Sequence, residues 1–438
     1  MLARSLVQTA FATLALQAVA CHEKSATSSA TPSAKPLIPS TAAPSAAPRT
    51  SAPAAAPLEA KTNPAPPAGS ATPVAPGTGP FVIDEAFDVG PAGPAAAHES
   101  GVVLVDKLGH VALAKRGPLP TGSVASKGSF SAVDRPRDEF LPYARGPALV
   151  GGFAYWIKDE KLVRARVTGN DADPEEIASD ARKGARVSGA EMPDGTPVVA
   201  FITKPDSSGA PHAKVWFRGK VFDLTPEGAG ASSVALVRSG PRIMAISLDG
   251  RSGMTPLHAR LLSVEQSGAL ALGPDVVAWV GASAQATTEV FATAAEGDVW
   301  AFVPIEQDLT HFGLAQIHLG SEPRLDAKVT FLTYQAGTNS APVAAGIACG
   351  RSAVAFAEPE EAAPKSPQRL VVAAVGAEGL EPGEVVARGR SFANVSLGAA
   401  GPGALLVYTA DHRTWARSVR CRDRARPHSE LPGALEKR

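Results

Sequence analysis

Carboxylates alternate along one segment, "NDADPEE" (residues 170–176), and this is where the sequence comes closest to a metal site. Asp171, Asp173 and Glu175 could supply the oxygen ligands that calcium prefers. The glycine turn and the distal glutamate of a calcium-binding loop are missing, however. We therefore interpret the segment as a solvated acidic turn, with calcium binding as the alternative.

A second polar group lies in "ADHRTW" (residues 410–415). It places Asp411, His412, Arg413 and Trp415 at the turn of a predicted hairpin. Charged and aromatic side chains at such a turn could line a ligand face. A polar hairpin tip without a ligand is the interpretation we favour.

Motifs of familiar catalytic sites are missing from the sequence. It contains no Gly-x-Ser-x-Gly elbow, no His-Glu-x-x-His, no Cys-x-x-Cys pair and no phosphate-binding glycine loop. Its nine histidines are scattered, and His311 and His318 would lie on opposite faces of a strand. No cofactor is predicted, and the sequence favours a protein that is not an enzyme.

The charge balance argues against a nucleic-acid partner. The chain carries 42 basic and 42 acidic residues, whereas nucleic-acid-binding domains are strongly basic. No apolar run beyond the first residues is long enough to cross a bilayer.

Short apolar strands separated by turn residues recur along the body of the chain. Each unit has a strand, a turn rich in Gly, Asp, Lys or Pro, and a second strand, which is typical of a hairpin. Several strands follow a turn such as Gly240-Pro241 or Gly401-Pro402. The units begin near residues 102, 148, 196, 241, 275, 352 and 404, and residues 275–303 are interpreted as a single hairpin. Strand-like segments at 312–320 and 328–335 lie between the hairpins that begin near residues 275 and 352. They indicate a further repeat unit that is hidden, or whose start is misplaced, in this spacing.

The spacing of these hairpins indicates the fold. A period of roughly 45–50 residues with several short strands is typical of propeller blades. Segments with small side chains precede three hairpins and would form inner strands near the axis, at residues 185–192, 231–238 and 393–400. We predict an all-β fold, a β-propeller of about seven blades, over residues 81–425. Six or eight blades, or packed β-sandwiches, are the alternatives.

The first residues predict a signal peptide over residues 1–20. One positive charge, Arg4, precedes an apolar stretch that is too short to remain in a bilayer. Ala18-Val19-Ala20-Cys21 resembles the lipobox of bacterial lipoproteins, although Ala18 stands where leucine is commonest. The resemblance implies lipidation of Cys21, and His22 in place of aspartate implies the outer membrane. Cleavage by the ordinary signal peptidase after Ala20, which would release a soluble protein, is the alternative.

Residues 21–80 are rich in Ala, Pro and Ser and contain no aromatic residue. Such a segment cannot bury enough apolar area to offset its ordering entropy, so we expect a disordered linker. It would hold the folded domain away from the membrane. Residues 426–438 are predicted to form a flexible C-terminal tail.

The chain has three cysteines, Cys21, Cys349 and Cys421. Lipidation of Cys21 leaves the other two free to pair, and an oxidising compartment favours that pairing. We therefore predict a disulfide between Cys349 and Cys421.

These features together predict a non-enzymatic, lipid-anchored cell-envelope protein. Its propeller would act as a binding or scaffold module for an envelope protein or a glycan. The alternative is a periplasmic or surface glycan hydrolase or lyase with acidic residues gathered at the propeller axis. Aromatic residues make up only 5% of the chain, which lowers the expectation of a sugar site built on aromatic platforms.

Overall fold

The computed structural model describes residues 79–105, 111–115, 145–167, 174–226, 228–249, 254–282, 289–306, 311–325, 327–335, 343–360, 366–376 and 378–422. All of them belong to one unit, Glu59–Arg438. The predicted signal peptide, Cys21, the linker up to residue 78 and the C-terminal tail lie outside the described residues. No helix occurs in these ranges, so none of the described chain forms a helix that could span a membrane.

The described strands are, in chain order, β1 (Phe81–Ile83), β2 (Phe87–Pro91), β3 (Ala95–His98), β4 (Gly101–Val105), β5 (Val111–Lys115), β6 (Ala148–Val150), β7 (Phe153–Lys158), β8 (Lys161–Arg166), β9 (Glu175–Ala178), β10 (Ser188–Glu191), β11 (Pro197–Ile202), β12 (Ala213–Phe217), β13 (Lys220–Asp223), β14 (Ser233–Ser239) and β15 (Arg242–Leu248). They continue with β16 (Met254–Val264), β17 (Leu270–Leu272), β18 (Val276–Ala282), β19 (Phe291–Ala295), β20 (Asp298–Glu306), β21 (His311–Gly320), β22 (Lys328–Gln335), β23 (Val343–Ala348), β24 (Arg351–Pro359), β25 (Gln368–Gly376), β26 (Gly379–Leu380), β27 (Glu384–Gly389), β28 (Ala393–Ala400), β29 (Gly403–Ala410) and β30 (Arg413–Cys421).

These strands form seven antiparallel sheets, which are the blades of a propeller. Blade 1 is β3–β5, blade 2 is β6–β9, blade 3 is β10–β13, blade 4 is β14–β18, blade 5 is β19–β22 and blade 6 is β23–β27. Blade 7 contains β28, β29 and β30, and its outer edge is supplied by β1 and β2 from the beginning of the described chain. The seven-bladed prediction is confirmed.

The alternation of side chains along each strand explains why the blades stack. In β20, Val299, Ala301 and Val303 enter the core shared with blade 4. Trp300 and Phe302, which point to the other face of the strand, enter the core shared with blade 6. Complete burial of a valine- to phenylalanine-sized side chain stabilises the fold by about 1.5–3 kcal/mol. Each blade therefore contributes to two cores rather than one.

The first strand of every blade lies next to the axis and contacts the first strand of the next blade, from β3 through β28 and back to β3. Serine side chains join these strands. Ser396 Oγ accepts a hydrogen bond from the Ala97 amide at 3.1 Å, and Ser188 Oγ accepts one from the Leu236 amide at 2.8 Å. The small-residue segments around residues 188, 233 and 393 thus form inner strands, as predicted.

The propeller has two faces, defined here by its connections. The lower face carries the turns that join the first strand of a blade to the second and the third to the fourth. The upper face carries the turns from the second strand to the third and the connections from one blade to the next. Phe81 pairs with Cys421 at the lower end of β30, so the described domain begins and ends at the lower face.

The predicted disulfide between Cys349 and Cys421 is confirmed, with a Cα–Cα distance of 5.5 Å. Cys349 lies in the turn between β23 and β24, and Cys421 ends β30. The bond therefore joins blade 6 to blade 7 at the lower face. The Cys349 amide also donates to the Pro402 carbonyl at 2.9 Å, which links the lower turns of the same two blades.

One hairpin prediction is wrong. Residues 275–303 do not form a single hairpin, because β18 pairs with β16 in blade 4 whereas β19 pairs with β20 in blade 5. The segment crosses from one blade to the next. The strand-like segments at 312–320 and 328–335 are the two outer strands of blade 5, β21 and β22. Blade 5 is therefore the repeat unit that the hairpin spacing did not resolve.

Candidate functional site: the mouth of the central channel

The connections between strands vary in length around the propeller. Several lower turns contain two residues, such as Gly151-Gly152, Gly240-Pro241 and Gly401-Pro402. On the upper face, the connection from β11 to β12 covers residues 203–212 and the one from β13 to β14 covers residues 224–232. Longer connections present more side chains, so these two connections bring additional polar groups to the upper face.

An ion pair links two blades that are not neighbours. Arg145 precedes β6 in blade 2 and Glu289 precedes β19 in blade 5, and Arg145 Nη2 lies 2.8 Å from Glu289 Oε1. Because blades 2 and 5 are separated by two blades around the ring, this pair spans the upper mouth of the channel. Glu289 is the more sheltered partner, with 19% of its side chain exposed against 43% for Arg145.

A second arginine reaches the same place from blade 3. Arg186 lies two residues before β10, and its guanidinium carbon lies 4.4 Å from the centre of the Phe291 ring, at the start of β19. A cation over an aromatic face is stabilised by the ring quadrupole. Phe291 therefore supports the charge of the Arg186 guanidinium.

The Arg186 side chain is partly exposed, but its Nη1 is shielded from solvent and has no hydrogen-bond partner among the described residues. Loss of solvation lowers the pKa of Arg186; Glu289 opposes this shift and Arg145 adds to it. A donor shielded from solvent without an acceptor costs about 1–3 kcal/mol. The mouth therefore holds a donor that an oxyanion would satisfy.

The charged cluster at this mouth can bind an anion. Among the described residues it consists of Arg145, Arg186 and Glu289, two cations and one anion. Within the described ranges, no three His, Cys, Asp or Glu side chains are arranged to hold a metal ion. Guanidinium groups donate paired hydrogen bonds to carboxylate or phosphate oxygens.

None of the three mouth residues was a candidate from the sequence, although they share one weak signal. Arg145, Arg186 and Glu289 each stand two or three residues before an inner strand. That position places a side chain at the upper rim of the channel. The sequence does not show which blades will face each other across it.

The residues of the "ADHRTW" segment lie in blade 7. Asp411 and His412 form the upper turn between β29 and β30 and both have positive φ, 50° and 60°. Arg413 forms an ion pair with Asp88 of β2. Trp415 packs against the blade 6–blade 7 core and donates from Nε1 to the Ala410 carbonyl at 3.3 Å. The Arg413–Asp88 ion pair helps hold β2 against β30, and ligand binding by the segment stays a prediction.

The predicted acidic turn falls largely outside the described residues, which exclude Asp171 and Asp173. Glu175 is the first residue of β9. Its Oε2 accepts a hydrogen bond from Arg164 Nε at 2.8 Å. This contact holds the pKa of Glu175 below its usual value. In the described structure, its carboxylate is thus engaged by arginine.

A groove of about 470 Å³ lies on the lower face of blade 5. Asp298 Oδ1 lies 2.6 Å from His318 Nε2, and the imidazole stacks on Trp300 with 4.0 Å between ring centres. Ser321 also lines the groove, but it makes no hydrogen bond to His318 in the described structure. Among its described residues, the groove therefore has a histidine–carboxylate pair and a serine that is not hydrogen-bonded to the histidine.

Comparison with known proteins identifies no family, and the solved structures that match are distant. No protein-family model matches the chain, and no curated protein matches it. A fucose-specific lectin from Aleuria aurantia is 13% identical, with a TM-score of 0.42, over 64% of this chain and 97% of the lectin. A protein of unknown function from Dyadobacter fermentans is 15% identical, with a TM-score of 0.41, over 78% of this chain and all of that one (100%).

A third solved structure, TolB from Acinetobacter baumannii, is 12% identical, with a TM-score of 0.33, over 61% of this chain and 65% of TolB. At such identities and TM-scores, these likenesses say nothing about what this protein binds. The described chain is an all-β protein folded as a seven-bladed β-propeller.

Proposed function

We propose that the protein is a lipid-anchored cell-envelope protein whose propeller is a non-enzymatic binding module. The observation that carries this proposal is the separation of the two faces. The described domain begins and ends at the lower face, where the Arg422 amide donates to the Pro80 carbonyl at 2.8 Å. A tether that enters there leaves the upper face, with its charged mouth, accessible to a partner.

The anchor itself rests on the sequence. Ala18-Val19-Ala20-Cys21 resembles a lipobox, and the segment after it has the composition of a spacer. A single lipid chain binds membranes marginally, whereas several chains on one residue give stable attachment. A lipidated Cys21 followed by a long spacer would thus hold the propeller at the membrane with freedom to turn.

The test is crosslinking in living cells with the tagged full-length protein carrying a photoreactive residue on one face. Lys183 is exposed on the upper face, between β9 and β10, and Gln266 is exposed on the lower face, between β16 and β17. We expect one defined product from position 183 and none from position 266. Equal products from both positions would contradict binding by the upper face.

The variant Cys21→Ser in the same cells tests the anchor. We expect the wild-type protein in the membrane fraction and C21S in the soluble fraction. The matched control Ser25→Ala changes a nearby small residue and should stay in the membrane fraction. A soluble wild-type protein that begins with an unmodified Cys21 would instead support cleavage by the ordinary signal peptidase.

A further inference from the structure

We infer that the mouth of the channel binds a carboxylate-bearing small ligand through Arg186. This site deepens the binding function proposed above and depends on it. The Nη1 atom of Arg186 is shielded from solvent and lacks an acceptor among the described residues. Buried polar groups in folded proteins are almost always satisfied, so an acceptor from outside the described chain belongs at this atom.

The charge of the cluster selects the class of ligand. Arg145 and Arg186 contribute two positive charges and Glu289 one negative charge, which leaves an excess of one positive charge. A monoanion neutralises that excess, whereas a dianion such as hydrogen phosphate would reverse it next to the Glu289 carboxylate. The local electrostatics therefore favour a carboxylate over a phosphate.

The geometry at the mouth supports the same assignment. The Arg145–Glu289 contact at 2.8 Å shows that this rim accommodates a guanidinium–carboxylate pair. The Arg186 guanidinium carbon lies 4.4 Å from the centre of the Phe291 ring. This contact restricts the side chain, so less conformational entropy is lost when its N–H groups bind an anion. Arg186 is thus a partly pre-ordered second position for a carboxylate.

The first measurement is thermal unfolding of the purified full-length protein in sodium acetate and in sodium chloride at equal ionic strength. Acetate should raise the Tm above its value in chloride, because a ligand that binds only the folded state stabilises it. Sodium glucuronate should act in the same direction, and neutral glucose should not. No difference between acetate and chloride overturns the inference, and a rise with phosphate alone overturns the choice of carboxylate.

The variant Arg186→Gln identifies the residue. Its apparent affinity for acetate should fall roughly tenfold or more, because a hydrogen bond to a charged group is lost. Arg218→Gln is the matched control, since Arg218 also lies over a phenylalanine, Phe217 at 5.0 Å, but on the lower face. The control should bind acetate like the wild type. Equal weakening in the two variants overturns the assignment to Arg186.

A variant that should bind acetate more tightly provides a second test in case Arg186→Gln does not fold. Glu289→Gln removes the competing carboxylate and leaves both guanidinium groups available, so acetate should bind more tightly than to the wild type. Unchanged or weaker binding counts against the site. If crosslinks form from position 183 but acetate has no effect on the Tm, the carboxylate site is rejected and the proposed binding function still stands. If neither the crosslinks nor the acetate effect is seen, both the site and the binding function are rejected.

Discussion

Single carboxylates organise the upper connections, and Asp206 does so for blade 3. Its Oδ1 accepts hydrogen bonds from the Ser208 amide at 2.7 Å and the Ala210 amide at 3.1 Å. Its Oδ2 lies 2.9 Å from His212 Nε2. Hydrogen bonds from the Ser208 side chain, from His212 and from the Ala210 amide hold the pKa of Asp206 well below its usual value.

Asp206→Ala should lower the amide protection of Ser208 and Ala210 at neutral pH, because the acceptor of both amides is removed. A lowered pKa means that the carboxylate stabilises the fold above its unfolded value of about 3.9 and loses this effect as the pH falls through the folded value. The difference in protection factor between wild type and variant should therefore shrink in acid. Hydrogen exchange measures both quantities.

Asp223→Ala is the control for that variant. Asp223 lies on the outer strand of the same blade, 72% exposed, with Lys214 Nζ 3.4 Å away. Its removal should leave the two amides as protected as in the wild type. Equal protection in wild type and Asp206→Ala at neutral pH would show that the backbone orders this connection without the carboxylate.

Glycines on the inner strands let neighbouring blades approach each other. A Cβ added to Gly398 of β28 would lie 2.7 Å from the Ala97 carbonyl oxygen of β3. A Cβ on Gly346 of β23 would lie 2.6 Å from the Leu397 carbonyl oxygen. Both contacts are with backbone atoms, which cannot move aside as a flexible side chain can. The packing of the ring thus requires glycine at these positions.

Gly398→Ala should reduce the free energy of unfolding by about 1–3 kcal/mol, the usual effect of overpacking. Ala399→Val is the matched control, because Ala399 is the next residue of β28 and is exposed, so added methyl groups meet solvent. Urea unfolding of both variants measures the difference. A Gly398→Ala protein as stable as the wild type would mean that blades 7 and 1 can separate at little cost.

The hairpin periodicity predicted the blades, because tight turns such as Gly240-Pro241 and Gly401-Pro402 mark where a first strand ends and a second begins. It failed at residues 275–303, since an outer strand and the following inner strand have the same apolar composition as two strands of one hairpin. The mouth could not be predicted, because Arg145, Arg186 and Glu289 come from three separate connections. Only closure of the ring brings them together.

At the scale of the molecule, the disulfide holds blade 6 to blade 7, where the two ends of the described domain meet. Replacing both cysteines, Cys349→Ala with Cys421→Ala, should lower the free energy of unfolding by about 4 kcal/mol for a sequence separation of 72 residues in the chain-entropy model. The Tm should fall by about 5–10 °C. Calorimetry with and without a phosphine reductant measures the change.

The reductant provides the control for that prediction. It should lower the Tm of the wild type towards that of the double variant and leave the double variant unchanged. A wild-type Tm that does not respond to complete reduction would show that hydrogen bonds such as Cys349–Pro402 already hold these blades together.

The sharing of blade 7 between the two ends of the domain also sets an order of events during synthesis. Arg422 donates from its side chain to the Phe81 carbonyl across 341 residues of chain, and β1 finds its partner only in β30. At about 5–20 residues per second, β1 waits roughly 20–70 s on the ribosome or in transit before β30 exists. Blades 1 to 6 can assemble in sequence during that time. The edge of β1 that will pair with β30 stays unpaired until β30 has been synthesised.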